Sequence, residues 1–105
     1  MGLFSRSKAR KQNEARVLAL HGKIIRYVTE RVNGEELVLG RGGSTAVHNG
    51  QLIVLSSKEI VFRSFARETT VTYLMSGDGV TLTGANLERG GEVHTVTAFF
   101  VDYIK

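Results

Sequence analysis

Two Asn-Gly dipeptides restrict the fold of this chain more than any other feature of its sequence. They stand at Asn33-Gly34 and Asn49-Gly50, sixteen residues apart. A two-residue type I′ turn needs positive φ at both central positions, which Asn and Gly accept more readily than other residues. Strand-favouring residues flank both dipeptides. Each dipeptide is therefore predicted to reverse the chain between two antiparallel strands.

Each turn also predicts which residues of its two strands lie opposite each other. The predicted pairs join opposite charges or strand-favouring side chains, as stable cross-strand pairs do. They are Arg31 with Glu36, Val28 with Leu39, Val47 with Leu52, and Thr45 with Val54. Residues 24–32 have an alternative, since their apolar residues also recur at helical spacing. The Asn-Gly turn that follows them favours the strand.

Four later segments are predicted as strands, because they are rich in β-branched and aromatic residues and are bounded by turn signals. They are Glu59 to Phe65, Thr69 to Met75, Val80 to Thr83 and Glu92 to Ile104. The last is apolar on both faces, which is typical of a central strand. The pattern predicts a mainly β fold of about seven or eight strands, as a small antiparallel barrel or a two-sheet sandwich. The 12 Gly and the lack of Pro suit such a turn-rich chain.

A short helix is predicted before the strands, over Lys8 to Leu20. This segment holds good helix formers and neither Gly nor Pro, and Gly22 is well placed to end it. The chain has 105 residues, enough for one domain. We therefore expect a basic N-terminal tail with a short helix over 1–16 and a single β domain over 17–105.

The positive charge is concentrated in the tail. Residues 1–16 account for the whole formal net charge of +4, whereas acidic and basic side chains balance over 17–105. The zero net charge of residues 17–105 argues against a nucleic-acid-binding face on the domain, because such faces carry an excess of Lys and Arg. The tail predicts weak contact with an anionic membrane surface or nucleic acid; the alternative is a solvated leader. The candidate contact residues are Arg6, Lys8, Arg10 and Lys11.

A second candidate contact site lies in the segment Gly40-Arg41-Gly42-Gly43-Ser44. Successive backbone N–H groups in a Gly-rich turn form a concave anion site, and Arg41 would add positive charge. Arg41, Gly42 and Gly43 are therefore predicted to contact an anion or a partner. The alternative is a flexible link between two hairpins, since no Lys or helix follows as in a nucleotide-binding P-loop.

Residues suited to catalysis or metal binding are scattered along the sequence. The chain has no Cys, which excludes disulfides, thiolate chemistry and cysteine-based zinc sites. None of the three histidines has a second ligand at metal-site spacing. Ser44 and His48 would act as nucleophile and base only if a third group oriented the histidine. We predict no catalytic, cofactor or metal site and no enzymatic activity.

Aromatic and basic residues alternate around Arg63. Phe62, Phe65 and Arg67 accompany it, which is compatible with a base-stacking surface for single-stranded nucleic acid. A half-buried sheet produces the same alternation, and we favour that interpretation.

One short stretch resembles a hairpin of the small YabP-like sporulation proteins. The resemblance is carried by Gly79-Val80-Thr81-Leu82-Thr83-Gly84 together with Leu87. These residues make up less than a tenth of the chain and are generic strand and turn types, so they carry no functional expectation.

The functional expectation is a small non-catalytic binding or assembly module. Exposed strand edges would pair with a protein partner or with another copy of the chain. The alternative is a peripheral membrane or nucleic-acid binder that acts through the tail. No apolar run approaches the roughly 20 residues of a membrane-spanning helix, and no secretory signal is evident. The expected location is the cytoplasm, at a membrane surface if the tail binds lipid.

Overall fold

Residues 14–101 are described by a computed structural model of the chain. Residues 14–18 are helical, and eight strands and two short 3-10 helices follow. The strands are β1 (Ile25–Val32), β2 (Glu35–Arg41), β3 (Ser44–His48), β4 (Gln51–Ser56), β5 (Glu59–Phe65), β6 (Thr70–Tyr73), β7 (Gly79–Asn86) and β8 (Glu92–Phe100). The predicted mainly β fold is confirmed.

The strands form two antiparallel sheets. One has five strands in the order β2-β1-β8-β7-β6, and the other has three in the order β3-β4-β5. β8 is the central strand of the larger sheet, as its two apolar faces predicted. The sheets are not closed into a barrel, so each sheet ends in two edge strands.

Both Asn-Gly dipeptides form the predicted turns. All four residues have positive φ, 52° and 81° at Asn33 and Gly34, and 52° and 73° at Asn49 and Gly50. The segment after Ile24 is a strand and not a helix. The predicted pairs of Arg31 with Glu36, Val47 with Leu52, and Thr45 with Val54 are confirmed.

The predicted pairing of Val28 with Leu39 is wrong by one residue. Val28 lies opposite Gly40, because an irregularity between Val28 and Thr29 leaves Leu39 as an extra residue on β2. Gly40 packs closely on β4: a Cβ at this position would lie 2.6 Å from Oγ of Ser56. A β-bulge inserts one extra residue into a strand and shifts its register. Here the shift places Gly40, which has no side chain, against Ser56.

The core lies between the sheets and includes the end of the N-terminal helix. Val17 and Leu20 are fully buried with Phe62, the largest buried side chain, and with valines and leucines from both sheets. Burying one such side chain stabilises the fold by about 1.5–3 kcal/mol. The helix therefore packs on the β domain, as predicted, and Gly22 follows it with φ 83°. The predicted start of the helix, residues 8–13, lies outside the described residues.

Two later strands differ in length from the prediction. β6 is shorter than the predicted Thr69 to Met75, because Met75 is fully exposed in the turn that follows. β7 extends from Gly79 to Asn86 and pairs with β8 over its whole length. β8 ends at Phe100; the predicted continuation through residues 102–104 lies outside the described part of the chain.

Candidate functional site

The Gly-rich segment joins the two sheets between β2 and β3. The N–H of Gly42 donates to the carbonyl of Arg26 (2.6 Å), and the carbonyl of Gly43 accepts from the N–H of Ile25 (3.0 Å). The buried hydroxyl of Ser56 donates to the carbonyl of Gly42 (2.6 Å). These bonds explain the segment as a structural junction. They also occupy the Gly42 amide, one of the donors that an anion site in this loop would use.

Arg41, Gly42 and Gly43 nevertheless line an open concavity of about 400 Å³. The turn between β4 and β5 forms its other wall, and that turn includes Lys58, so two cationic side chains border the same space. The second predicted set, Arg6, Lys8, Arg10 and Lys11, lies outside the described residues.

The rest of the fold covers the outer edges of the four edge strands to different extents. The outer edge of β3 is covered by the segment that follows the helix. The N–H of Gly22 donates to the carbonyl of Thr45 (2.8 Å), and the N–H of Thr45 donates to the carbonyl of Lys23 (3.0 Å). Nδ1 of His21 accepts from the N–H of Val47 (2.9 Å). β3 is therefore not available for pairing with another strand.

The outer edge of β5 is covered by side chains of the other sheet and of the following loop. Oδ1 of Asn86 accepts from the N–H of Arg63 (3.2 Å), and Nδ2 of the same side chain donates to the carbonyl of Val61 (3.3 Å). The hydroxyl of Thr69 donates to the carbonyl of Phe65 (2.7 Å). The amide of Asn86 thus occupies the place of a neighbouring strand's backbone.

The two edges of the larger sheet are β6 and β2. β6 has only four residues, and the guanidinium of Arg16 lies 3.5 Å from the carbonyl of Val71 on its edge. β2 has seven residues and pairs only with β1. Its last residue is capped, since the N–H of Arg41 donates to Oγ of Ser57 (2.9 Å) and its carbonyl accepts from the N–H of Ser57 (3.2 Å). Among residues 14–101, no backbone partner covers the edge from Glu35 to Gly40.

This open stretch of β2 carries exposed apolar side chains between charged ends. Leu37 is 46% exposed and Val38 is 50% exposed, although they are neighbours and point to opposite faces of the sheet. Glu35 and Glu36 precede them, and Arg41 follows. We call residues 35–41 the β2 edge. The sequence predicts strands on both sides of Asn33-Gly34 but does not identify β2 as an edge, because strand order is set by contacts with β8 far along the chain.

The face of the larger sheet that points away from the core is rich in threonine. Threonines from four strands form a row across it, and a second row of three lies beside the first. The rows are Thr72, Thr81, Thr97 and Thr29, and Thr70, Thr83 and Thr95. Hydroxyls of facing threonines lie 3.0 and 3.3 Å apart. Side-chain hydroxyls that bond each other across strands stabilise the sheet itself.

The strongest pairing of titratable groups is Glu30 with His94. Nδ1 of His94 contacts Oε2 of Glu30, and both side chains are largely buried. Nε2 of His94 has no hydrogen-bond partner among the described residues, and a carboxylate oxygen of Glu92 lies 3.5 Å away. The pair lies on the inner face of the larger sheet. Such burial suits a structural polar contact, whereas a general base needs access to substrate.

The other sequence candidates for chemistry are not assembled into a site. Ser44 and His48 stand at opposite ends of β3, about 13 Å apart along the strand. Within residues 14–101, no group of three or more His, Asp or Glu side chains is arranged to hold a metal ion.

The aromatic and basic cluster around Arg63 is divided between core and surface. Phe62 is fully buried, as the half-buried-sheet interpretation predicted, whereas Phe65 is exposed. Arg63 is held by Oε2 of Glu88 at 2.7 Å and by Oε1 of Gln51 at 3.1 Å. A guanidinium engaged on two sides is poorly placed to stack on a base.

Residues 14–101 form a two-sheet, all-antiparallel β fold with a helix before the strands, and within this range one long strand edge is open. No protein-family model, curated protein or solved structure matches the chain. In the described part of the chain, no helix is both long enough and apolar enough to cross a membrane.

Proposed function

We propose that this chain is a non-catalytic interaction module that binds a partner protein by strand addition at the β2 edge. The observation that carries the proposal is the contrast among edges. β3 and β5 are covered by specific hydrogen bonds, whereas residues 35–40 of β2 have no backbone partner on their outer side among residues 14–101. A strand added there would gain main-chain hydrogen bonds, and its alternate side chains would supply specificity.

The sequence of the β2 edge supports this role. Edge strands that must stay unpaired are usually protected by Pro, by charged side chains, by bulges or by a covering element. The centre of β2 is Leu37-Val38-Leu39, with neither Pro nor Lys in the strand. The bulge at Leu39 and the capped Arg41 limit how far an added strand would pair. These limits favour a short, reversible contact over an extended one.

We propose a non-catalytic role because of where the candidate catalytic residues lie. Ser44 and His48 are far apart, and the Glu30–His94 pair lies in the interior. The alternative of binding through the tail rests on the charge of residues 1–16. Replacing Arg6, Lys8, Arg10 and Lys11 by Gln in the full chain would abolish binding to anionic vesicles or DNA if the tail is the binding element. It would leave a β2-edge contact intact.

The β2-edge proposal is tested by site-specific photo-cross-linking in cells that carry the native gene. A photoreactive residue is placed at position 38 in one full-length variant and at position 60 in another. Ile60 is a fair control, since it is an exposed apolar residue on the edge strand β5, which Asn86 covers. Cross-links to protein are expected from position 38 and not from position 60. Equal yields from the two positions would overturn the proposal.

A further inference from the structure

We infer that the strand added to the β2 edge is the β2 edge of a second copy of this chain, in antiparallel orientation. The inference rests on the proposed function and names its partner. Two five-stranded sheets would then join edge to edge into one continuous sheet of ten strands, with a two-fold axis near Val38. Such an isologous contact uses the same residues on both copies and closes on itself.

The charge pattern of the β2 edge is complementary to itself only in the antiparallel orientation. The acidic residue Glu35 is at one end of the strand and Arg41 is at the other. Neither is in an ion pair with another described residue. Antiparallel pairing about Val38 brings the acidic end of each strand, Glu35 and Glu36, beside Arg41 at the basic end of the other. Glu36 and Arg41 lie on the same face of the sheet, opposite Arg31 and Tyr27 of β1. Parallel pairing would place like charges together.

The concavity beside Arg41 fits this arrangement. It is bordered by Arg41 and Lys58 and lies at the point where Ser57 ends the free part of the edge. The incoming strand would reach this point with its acidic end. The residues predicted from sequence to contact an anion or a partner would therefore receive a carboxylate of the second copy.

The apolar centre supplies the main attraction. Leu37 and Val38 are about half-exposed in one copy, and antiparallel pairing places the centres of the two strands side by side. Cross-strand contacts of this kind contribute roughly 0.2–1 kcal/mol each, and the exposed ion pairs add little. The contact area is small, so we expect a weak dimer that forms at high protein concentration.

The inference is tested by sedimentation equilibrium on the full-length chain over concentrations up to the millimolar range. The native chain is expected to change from monomer to dimer. Val38→Lys places two positive charges at the two-fold axis, so the dissociation constant is expected to rise at least tenfold. Ile60→Lys, the same change on the covered β5 edge, is expected to leave it unchanged. Circular dichroism of each variant checks that the fold is retained.

The orientation is tested by charge reversal. Glu35→Lys and Arg41→Glu are each expected to raise the dissociation constant by a few-fold, up to about tenfold, because each weakens the attraction between the meeting ends of the two strands. The double variant is expected to recover part of the loss, since the meeting ends then carry opposite charges at positions 35 and 41 again. Glu68→Lys controls for the change in net charge and is expected to have no such effect.

The outcomes separate this inference from the proposed function. A chain that stays monomeric while position 38 cross-links to a different protein overturns the second copy and retains strand addition. A dimer that is unaffected by Val38→Lys also overturns the inference. A cross-link from position 38 to residues 1–13 of the same chain overturns both proposals, since the edge would then be covered from within.

Discussion

The β2 and β5 edges show how two similar strands acquire different roles. Each has seven residues, each is the last strand of its sheet, and each carries exposed apolar side chains. β5 is covered because Asn86, from the other sheet, supplies both a donor and an acceptor to its backbone. Along most of β2 no such group is present within residues 14–101. Whether an edge is open therefore depends on what lies beside it and not on the strand's own sequence.

The largest loss of stability is expected from a substitution in the Gly-rich segment that follows β2. Gly43 has φ 123°, and a Cβ there would overlap the carbonyl group of Leu55. Gly43→Ala is expected to destabilise the fold by about 3 kcal/mol or more, because positive-φ strain and overlap with backbone act together. The free energy of unfolding in urea measures the loss.

Gly42→Ala is the matched control for that change. Gly42 also has positive φ, at 70°, but nothing lies within 4 Å of the Cβ position. Only the left-handed backbone is penalised there, by about 1–2 kcal/mol. Equal losses for the two alanine variants would show that the contact with Leu55 contributes nothing.

The next largest effect is expected from uncovering the β5 edge. Asn86→Ala leaves the N–H of Arg63 and the carbonyl of Val61 without their partner. Asn86 is buried, and an unsatisfied buried polar group costs about 1–3 kcal/mol. We expect a loss of about 2–3 kcal/mol in urea unfolding and faster hydrogen exchange of the Arg63 amide.

Thr83→Ala is the comparison for Asn86→Ala. Thr83 lies on the same strand, and its hydroxyl bonds only to Thr95 at the solvent face. The expected loss is within about 1 kcal/mol, because water replaces an exposed hydrogen bond. If Asn86→Ala is as mild as Thr83→Ala, the amide does not protect the β5 edge, and the contrast with β2 disappears.

The hairpins and the strand edges also show how much of the structure could be predicted from the sequence. The Asn-Gly turns depend on two adjacent residues whose preference for positive φ is intrinsic, so the hairpins could be predicted with most of their register. The observed pairing of Val28 with Gly40 could not be predicted, because the bulge depends on how closely Gly40 approaches Ser56 on another strand.

The covering of the β5 edge by Asn86 could not be predicted either, since Asn86 lies 23 residues from Arg63 in the chain. In the sequence, Asn86 stands before Leu87 as an ordinary turn-forming residue. Arg41, Gly42 and Gly43 were located by composition alone, but their neighbour Lys58 is brought to them only by the β4–β5 turn.

A smaller effect is expected at the edge of β3. His21→Ala removes the acceptor for the N–H of Val47, and His21 is exposed. Because water can take the place of the imidazole, we expect a loss of about 0.5–1 kcal/mol in urea unfolding. His48→Ala removes an exposed histidine of β3 itself and is expected to change stability less. A larger loss for His48→Ala would contradict the role given to His21.

The smallest effect on stability is expected at the β2 edge itself, where the proposed function predicts the largest effect on association. Val38→Lys and Ile60→Lys each replace a partly exposed apolar residue on an edge strand, at 50% and 39% exposure. Measured on dilute monomer, each is expected to change the free energy of unfolding by within about 0.5 kcal/mol. If Val38→Lys instead destabilises the monomer by more than about 2 kcal/mol, Val38 contributes to the monomer's own packing. The β2 edge would then be closed within one chain, as β5 is, and the difference between the two edges would no longer identify a binding surface.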